Sequence, residues 1–322
     1  MNVYTRARTT VGMDATRLRS SFETVAFTTA VPFDPADGAV DHDALADNVD
    51  GIYEAGARLV VACGNTGEYY ALTDDERAAV VETHVEATGD EATVVGGAAG
   101  NAREVLELAE AYEAAGADAV MVMHPDHTYV HERGLAEYYH AICDGTDLGV
   151  VIYKRGPEVS RNVLIELSER EEVVAVKFAV DDIKEFAQTV QDAEGAVTWI
   201  NGIAERYAIP FAIEGAGGYT TGVGSFVPRV TLALFEAIEK GQYDRARRIQ
   251  QALRPLEDLR EESGEGSSIP GGNNVPVVKA GLDLAGYEGG TVRRPLVELS
   301  DADRQRLRTH YERLESWTPS RP

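Results

Sequence analysis

Cysteine, lysine and long apolar runs are all scarce in this sequence of 322 residues. The two cysteines, Cys63 and Cys143, lie far apart and in no metal-ligand spacing, which argues against a disulfide scaffold and predicts two buried thiols. No apolar run approaches the roughly 18 to 20 residues of a membrane helix. The first twenty residues hold four arginines and no apolar block, unlike a secretory signal. We therefore expect a cytoplasmic protein.

Positive charge is also in short supply. The chain has 30 lysines and arginines against 54 aspartates and glutamates, for a formal net charge of −24, and only five of the basic residues are lysines. Such a charge repels nucleic acid and anionic membranes, so neither is expected as a partner. An acidic surface on which arginine replaces lysine suits a cytoplasm rich in salt, and we expect a halophilic source.

What the sequence has in abundance is alternation between strand and helix patterns. Eight apolar, β-rich stretches are separated by amphipathic stretches that begin at polar residues and end at glycine, as helices do. Eight βαβ units within about 200 residues predict a closed (β/α)8 TIM barrel. An open doubly wound sheet is the alternative, but the G-x-G-x-x-G turn expected after its first strand is missing. The predicted strands are 24–33, 57–64, 92–99, 117–124, 148–154, 173–179, 197–203 and 217–223.

From about residue 229 the pattern becomes wholly helical. We predict an N-terminal extension over 1–21, the barrel over 22–228 and a C-terminal helical region over 229–322 that packs on the barrel. The helices of this last region are expected over 229–240, 242–262, 274–285 and 301–316.

Lys177 is the most informative residue for function. It lies within the apolar stretch "VVAVKFA", where loss of hydration disfavours the ammonium form and lowers the pKa. A neutral amine can attack a ketone and form a Schiff base. A lysine that extends to solvent from the strand end, or that meets a buried carboxylate, is the alternative. The scarcity of lysine elsewhere favours catalysis.

Two further strand ends supply candidate partners. In "VVIYKRG", Tyr153 and Arg155 fall on the same face of the strand. Tyr153 could shuttle protons, and Arg155 could bind a carboxylate or hydroxyls, although a core tyrosine and a surface salt bridge are the alternatives. In "GNTGE", Asn65 and Thr66 could hold the carboxylate of a 2-oxo acid with their side chains and backbone N–H groups.

Four stretches together resemble the dihydrodipicolinate synthase/N-acetylneuraminate lyase family of class I aldolases. They are "GNTGEYYALTDDER", "VVIYKRG", "VVAVKFAVDDIKEF" and "NNVPVVKAGLDLAGYEGGTVRRPL", in the family's order over about residues 22–300. The resemblance implies a barrel with a helical C-terminal region, a homotetramer or homodimer, and a 2-oxo acid bound as an imine. By position, it implies that Lys177 forms the imine, Tyr153 relays protons and Thr66 binds the carboxylate.

Departures from the synthase pattern narrow the expected reaction. Synthases carry a pair of tyrosines after the fourth strand and an arginine five residues beyond the fifth-strand tyrosine. Here Asp126 and His127 stand at the paired positions and Glu158 stands five residues beyond Tyr153. The Tyr-x-Arg spacing, "GVGSFVPR" and "VKAGLDLAG" are more similar to the branch typified by 5-dehydro-4-deoxyglucarate dehydratase. We therefore expect a dehydratase of a 2-keto-3-deoxy sugar acid.

An imine at C2 leaves a second outcome open. The same enamine can lose the C4 hydroxyl, which is dehydration, or cleave the C3–C4 bond, which is an aldolase reaction that releases pyruvate. Side chains that hold the distal end of the sugar decide between them, and Asn201, Ser225 and Thr221 at the ends of strands 7 and 8 are candidates besides Arg155. Dihydrodipicolinate synthase remains a further alternative.

Two interpretations of another kind are weaker. "HPDHTYVH" groups His124, Asp126, His127 and His131, which could hold a divalent metal for a class II mechanism, but the spacing fits no standard site. A 2-oxo acid binding protein would need neither Lys177 nor Tyr153. We therefore expect a small-molecule substrate and no metal or other cofactor.

Overall fold

The computed structural model of the chain describes residues 14–315, and a closed barrel of eight parallel strands forms its centre. The strands follow one another around the barrel in chain order, and the last pairs with the first. Every strand residue is buried, as expected where helices cover the outside and side chains fill the inside. The predicted TIM barrel is confirmed. The strands are β1 (Val25–Thr28), β2 (Leu59–Ala62), β3 (Thr93–Ala98), β4 (Ala119–Met123), β5 (Gly149–Lys154), β6 (Val173–Phe178), β7 (Thr198–Asn201) and β8 (Gly218–Thr221).

Helices follow the strands around the outside of the barrel. Several begin at side-chain caps: Thr73 and Asn101 each form a capping box with a glutamate three residues later. The helices are α1 (Ala15–Ser21), α2 (His42–Glu54), α3 (Asp74–Thr88), α4 (Ala102–Ala115), α5 (Glu132–Gly145), α6 (Arg161–Ser168), α7 (Ile183–Asp192), α8 (Ala208–Ile213), α9 (Pro228–Glu239), α10 (Tyr243–Glu261), α11 (Asn274–Ala285) and α12 (Asp301–Glu315).

The amino end of the barrel is closed by α1. The Arg19 guanidinium donates hydrogen bonds to the carbonyls of Arg170, Glu171 and Val173, where β6 begins. This leaves the opposite end of the barrel, where the strands finish, for the candidate site.

The C-terminal helices α9 to α12 have nearly the bounds that the sequence predicts. After α11 the chain returns to the carboxyl end of the barrel, where the Thr291 N–H donates to the Phe33 carbonyl at 3.0 Å. This contact brings the C-terminal region next to the loops that follow β1 and β2. The three-part domain division predicted above stays a prediction, and residues 1–13 of its N-terminal extension lie outside the described residues.

Both cysteines are buried and free, as predicted. Burial raises the pKa of the Cys63 thiol to about 12. Within residues 14–315, no helix has the length and apolar character needed to cross a membrane.

Candidate active site

Lys177 lies inside the barrel near the carboxyl end of β6. Its side chain is only 5% exposed, and its Cα pairs in register with Tyr153 on one side and Ile200 on the other. Within residues 14–315 its ammonium group has no hydrogen bond or ion pair, and Nζ lies 4.1 Å from the centre of the Tyr153 ring. Burial, and then the positive charges of Arg155 and Arg260, lower the pKa of Lys177 to about 7. A large fraction of this amine is therefore neutral near pH 7.

Tyr153 connects the lysine to the loop after β2. The Asn65 Nδ2 donates to the Tyr153 hydroxyl at 3.3 Å, so the phenolic oxygen accepts and its own hydrogen stays available. Burial raises the pKa of Tyr153. The phenol is therefore neutral at pH 7 and is suited to giving and taking back a proton beside Lys177.

Thr66 lies deeper in the same loop. Its Oγ1 is 3.2 Å from Thr28 Oγ1, and the Thr28 hydroxyl donates to the Thr221 carbonyl at 2.7 Å. Because the Thr28 hydrogen is already used, Thr66 donates to Thr28 and its oxygen remains open as an acceptor. The loop itself turns tightly, with the Glu68 N–H donating to the Asn65 carbonyl at 3.2 Å.

Arg155 is half-buried at the rim of the barrel. Its Nη2 donates to the Tyr70 hydroxyl at 2.9 Å, and its guanidinium lies over the Tyr70 ring. Tyr70 is 57% exposed and was not singled out from the sequence. The second tyrosine of "GEYYALT" was the available signal, because it follows the site loop directly.

The remaining predicted residues, Asn201 and Ser225, differ in whether their side chains already have hydrogen-bond partners. Both polar atoms of the Asn201 amide bind backbone, because Oδ1 accepts from the Ile203 N–H and Nδ2 donates one hydrogen to the Ala204 carbonyl. Its predicted contact with substrate stays a prediction. Ser225, in a short 3-10 turn over Val223–Ser225 after β8, is buried, and its hydroxyl has no partner within the described residues. Such a hydroxyl can bind a ligand without losing a hydrogen bond.

A buried charged cluster behind β7 and β8 was missed by sequence reasoning. Glu205 is fully buried and accepts hydrogen bonds from Thr221 and Thr231. Burial, and then the charge of Glu257, raise the pKa of Glu205. Glu257 in turn pairs with Arg260 at 3.0 Å.

Arg260 reaches the end of the eighth strand. A Cβ added to Gly222 would lie 2.5 Å from the Arg260 Nη2, so a larger residue at this position would displace the guanidinium. Glu205 and Arg260 come from sequence regions with polar, helical patterns, and only the fold brings them behind the barrel wall.

The histidine-rich loop after β4 has separate contacts for each of its imidazoles. His124 Nε2 lies 3.5 Å from Glu158, His127 Nδ1 accepts from the Tyr129 N–H, and His131 caps α5. No group of three or more His, Cys, Asp or Glu side chains in the described part of the chain is arranged to hold a metal.

A groove of about 800 Å³ opens beside this loop and includes Tyr70, Asp126, His127 and Tyr129 in its walls. Lys177 and Tyr153 do not line it. The neutral lysine and the phenol lie side by side on neighbouring strands inside the barrel, so the chemistry identifies the barrel interior at the strand ends as the candidate site. The groove adjoins this site at Tyr70, whose hydroxyl accepts a hydrogen bond from Arg155.

The fold and the site at the strand ends define the class, a TIM barrel whose interior holds a buried lysine with no ionic partner among residues 14–315. The chain belongs to the Dihydrodipicolinate synthetase family, whose model matches residues 21–313. The family is one of lyases.

Relatives of two kinds are similar to this chain. A probable 5-dehydro-4-deoxyglucarate dehydratase of Saccharopolyspora erythraea is 30% identical over 273 residues, which cover 83% of this chain and 86% of that one. A 4-hydroxy-tetrahydrodipicolinate synthase of Methanothrix thermoacetophila is 30% identical over 277 residues, with 84% and 90% covered. The crystal structure of dihydrodipicolinate synthase from Oceanobacillus iheyensis has a TM-score of 0.89 at 31% identity and covers 94% of this chain and 100% of that one. The comparisons give the family without choosing between the two reactions.

Proposed function

We propose that this chain is a Schiff-base-forming lyase that dehydrates a 2-keto-3-deoxy sugar acid. The observation that carries the proposal is Lys177, a buried amine that has no charged partner in the described residues and lies against Tyr153. Such an amine is free to react with a carbonyl, whereas a lysine that serves only structure is normally paired.

The proposed reaction begins with covalent capture of the substrate. The Lys177 amine adds to the C2 carbonyl, and the carbinolamine loses water to give a protonated imine. Tyr153 carries the protons of this step. The carboxylate at C1 is bound by backbone N–H groups of the loop at Asn65 and Thr66. The free hydroxyl of Ser225 stays the candidate for the distal end of the sugar that the sequence predicts.

The imine then makes elimination feasible. It withdraws electrons from C3, whose proton leaves to give an enamine, and the enamine electron pair expels the C4 hydroxyl, which departs as water after protonation. Hydrolysis of the new imine returns Lys177 and releases a 2-oxo acid that has lost one water overall. Arg155, supported by Tyr70, is the proposed anchor for the distal hydroxyls or carboxylate.

Synthase activity is the second candidate, because some of the similar relatives are named synthases. A specific contact disfavours it: the position five residues beyond Tyr153 holds Glu158, whose carboxylate faces His124 at 3.5 Å, where the synthase pattern expects a guanidinium. Aldol cleavage to pyruvate shares the imine and is separated from dehydration only by the product.

The decisive experiment identifies the adduct and the product together. The protein is incubated with C5 and C6 2-keto-3-deoxy acids, with and without a terminal carboxylate, and the products are weighed by mass spectrometry. In parallel, sodium borohydride is added to fix the imine. We expect the adduct on the Lys177 peptide and a product lighter by one water. Pyruvate as the dominant product would replace the dehydratase by the aldolase, and an unmodified Lys177 peptide would reject the Schiff base.

A matched variant tests the proton carrier. Tyr153→Phe keeps the ring against Lys177 and removes only the hydroxyl, so we expect kcat to fall by about 10²- to 10⁴-fold, the usual contribution of general acid–base catalysis. Wild-type turnover in this variant would assign Tyr153 to packing.

Three other predictions from the sequence stay proposals: a cytoplasmic location, a homodimer or homotetramer, and adaptation to high salt. They are supported by the formal net charge of −24 and by family membership. Light scattering and activity across a KCl series would test the last two.

A further inference from the structure

A buried ion pair joins the site loop to the C-terminal helices. Lys279 of α11 lies with its Nζ 2.6 Å from Glu68 Oε1, and both side chains are at most 2% exposed. Glu68 directly follows "GNTG", the stretch that contains Asn65 and Thr66. The pair therefore connects residues more than two hundred positions apart in the sequence at the edge of the candidate site.

The contacts of this pair extend along the chain after α11. The Lys279 ammonium also donates to the Thr291 carbonyl, and the Arg293 N–H donates to Glu68 Oε2 at 2.9 Å. The Arg293 guanidinium binds both carboxylate oxygens of Glu76, at 2.6 and 2.8 Å. The segment from Lys279 to Arg293 thus holds the loop after β2 at two points, one at Glu68 and one at the start of α3.

The loop needs these contacts because two of its residues have a strained backbone conformation. Cys63 and Glu68, at the two ends of "GNTG", both have positive φ, at 53° and 52°. This left-handed conformation disfavours residues other than glycine, and it persists only where the surroundings enforce it. Between them, Gly67 packs against the Thr29 carbonyl, where a Cβ would lie 3.1 Å from the oxygen.

We propose that Lys279 is a positioning residue of the site: through Glu68 it fixes the loop that sets Asn65 against Tyr153 and aims Thr66 at the substrate carboxylate. The inference rests on the proposed function for the roles of Asn65 and Thr66. It gives the C-terminal helical region a part in catalysis, because α11 supplies the charge that locks the loop.

The test compares Lys279→Met with Arg19→Met. Arg19 binds three carbonyls at the amino end of the barrel, so its loss weakens the fold without touching the site loop. Glu68→Gln is the milder variant, since it keeps the shape and leaves one of its two donors without a carboxylate oxygen.

The first readout needs no substrate. We expect hydrogen exchange in a peptide covering residues 64–69 to accelerate in Lys279→Met and in Glu68→Gln and to stay at the wild-type rate in Arg19→Met. Equal exchange in Lys279→Met and Arg19→Met at matched distance from each melting temperature would overturn the proposal.

The second readout uses the reaction. Misplacement of the loop should lower kcat/KM of Lys279→Met about 100-fold, while Arg19→Met keeps the wild-type value below its melting temperature. Lys279→Met combined with Glu68→Gln should be no worse than Lys279→Met alone, because both remove the same ion pair and the glutamine oxygen can still accept from the Arg293 N–H; additive losses would contradict this. If borohydride fixes no adduct on the wild-type protein, the proposed function fails while the exchange result still decides the role of Lys279.

Discussion

Buried lysines in the interior of the barrel and in the shell around it differ in whether the ammonium group has a partner. In the shell, the Lys154 ammonium donates to the carbonyls of Val159 and Gly156 at 2.8 and 3.1 Å and lies 3.3 Å from Glu185. Lys279 is held by Glu68 and Thr291. In the interior, Lys177 is also buried but has neither a carboxylate nor a carbonyl partner in residues 14–315.

This difference shows that the partner of a buried lysine, as well as its burial, determines its pKa. At Lys279 burial lowers the pKa, and the charge of Glu68 opposes that fall because the carboxylate replaces part of the lost hydration. An unpaired ammonium gives the proton up, and burial beside Arg155 and Arg260 lowers the pKa of Lys177 to about 7. Three of the five lysines are buried, yet only the one without a counter-charge has the properties of a nucleophile.

The largest expected effect comes from replacing the unpaired lysine and, as its control, a paired one. Lys177→Ala should abolish both turnover and borohydride trapping, since no other lysine in the described part of the chain is buried without a charged partner. Lys154→Met, on the next strand, should lower the unfolding free energy by about 1–3 kcal/mol but leave trapping on Lys177 intact. Peptide mass spectrometry and denaturant unfolding check both variants. Trapping that persists in Lys177→Ala would place the reactive amine elsewhere.

A second prediction sharpens the comparison through pH. Only the neutral amine attacks, so the rate of trapping by pyruvate and cyanoborohydride should rise about tenfold per pH unit below pH 7 and level off above it. Arg155→Gln removes a nearby positive charge, so the pKa of Lys177 and the midpoint of the profile should move to higher pH. A midpoint that stays near pH 10 in wild type would mean that Lys177 is hydrated in solution.

The smallest expected effect concerns an acid in the barrel wall. Burial and the neighbouring Glu257 raise the pKa of Glu205 to about 7, from an ordinary value of 4.5. Between these values the folded protein holds a proton that the unfolded chain releases, so Glu205 stabilises the fold below pH 4.5 and loses that contribution as pH rises through 7.

Glu205→Gln, which cannot ionise, should therefore gain stability relative to wild type by about 1–3 kcal/mol between pH 5 and pH 8. Urea unfolding at the two pH values measures it. An unchanged difference between variant and wild type would show that Glu205 is ionised in the folded protein.

The sequence predicted the barrel because its signals are local. A parallel strand buried on both faces gives an apolar run, and a covering helix gives a periodic pattern with polar starts and glycine ends. The eight predicted strands each contain the observed one, as 173–179 contains Val173–Phe178. Lys177 was conspicuous for the same reason, a charged residue within such a run.

What the sequence by itself determined is therefore the fold, the lysine and the strand ends at which a site must lie, each readable within about ten residues. What only the tertiary structure decided is which groups each polar or charged side chain contacts. The pairing of Lys279 with Glu68 and the approach of Arg260 to Gly222 both depend on chain folding over long separations. A residue type gives the charge, but whether water, carbonyl or carboxylate surrounds it sets its pKa and its chemistry, and those neighbours exist only once the barrel has closed.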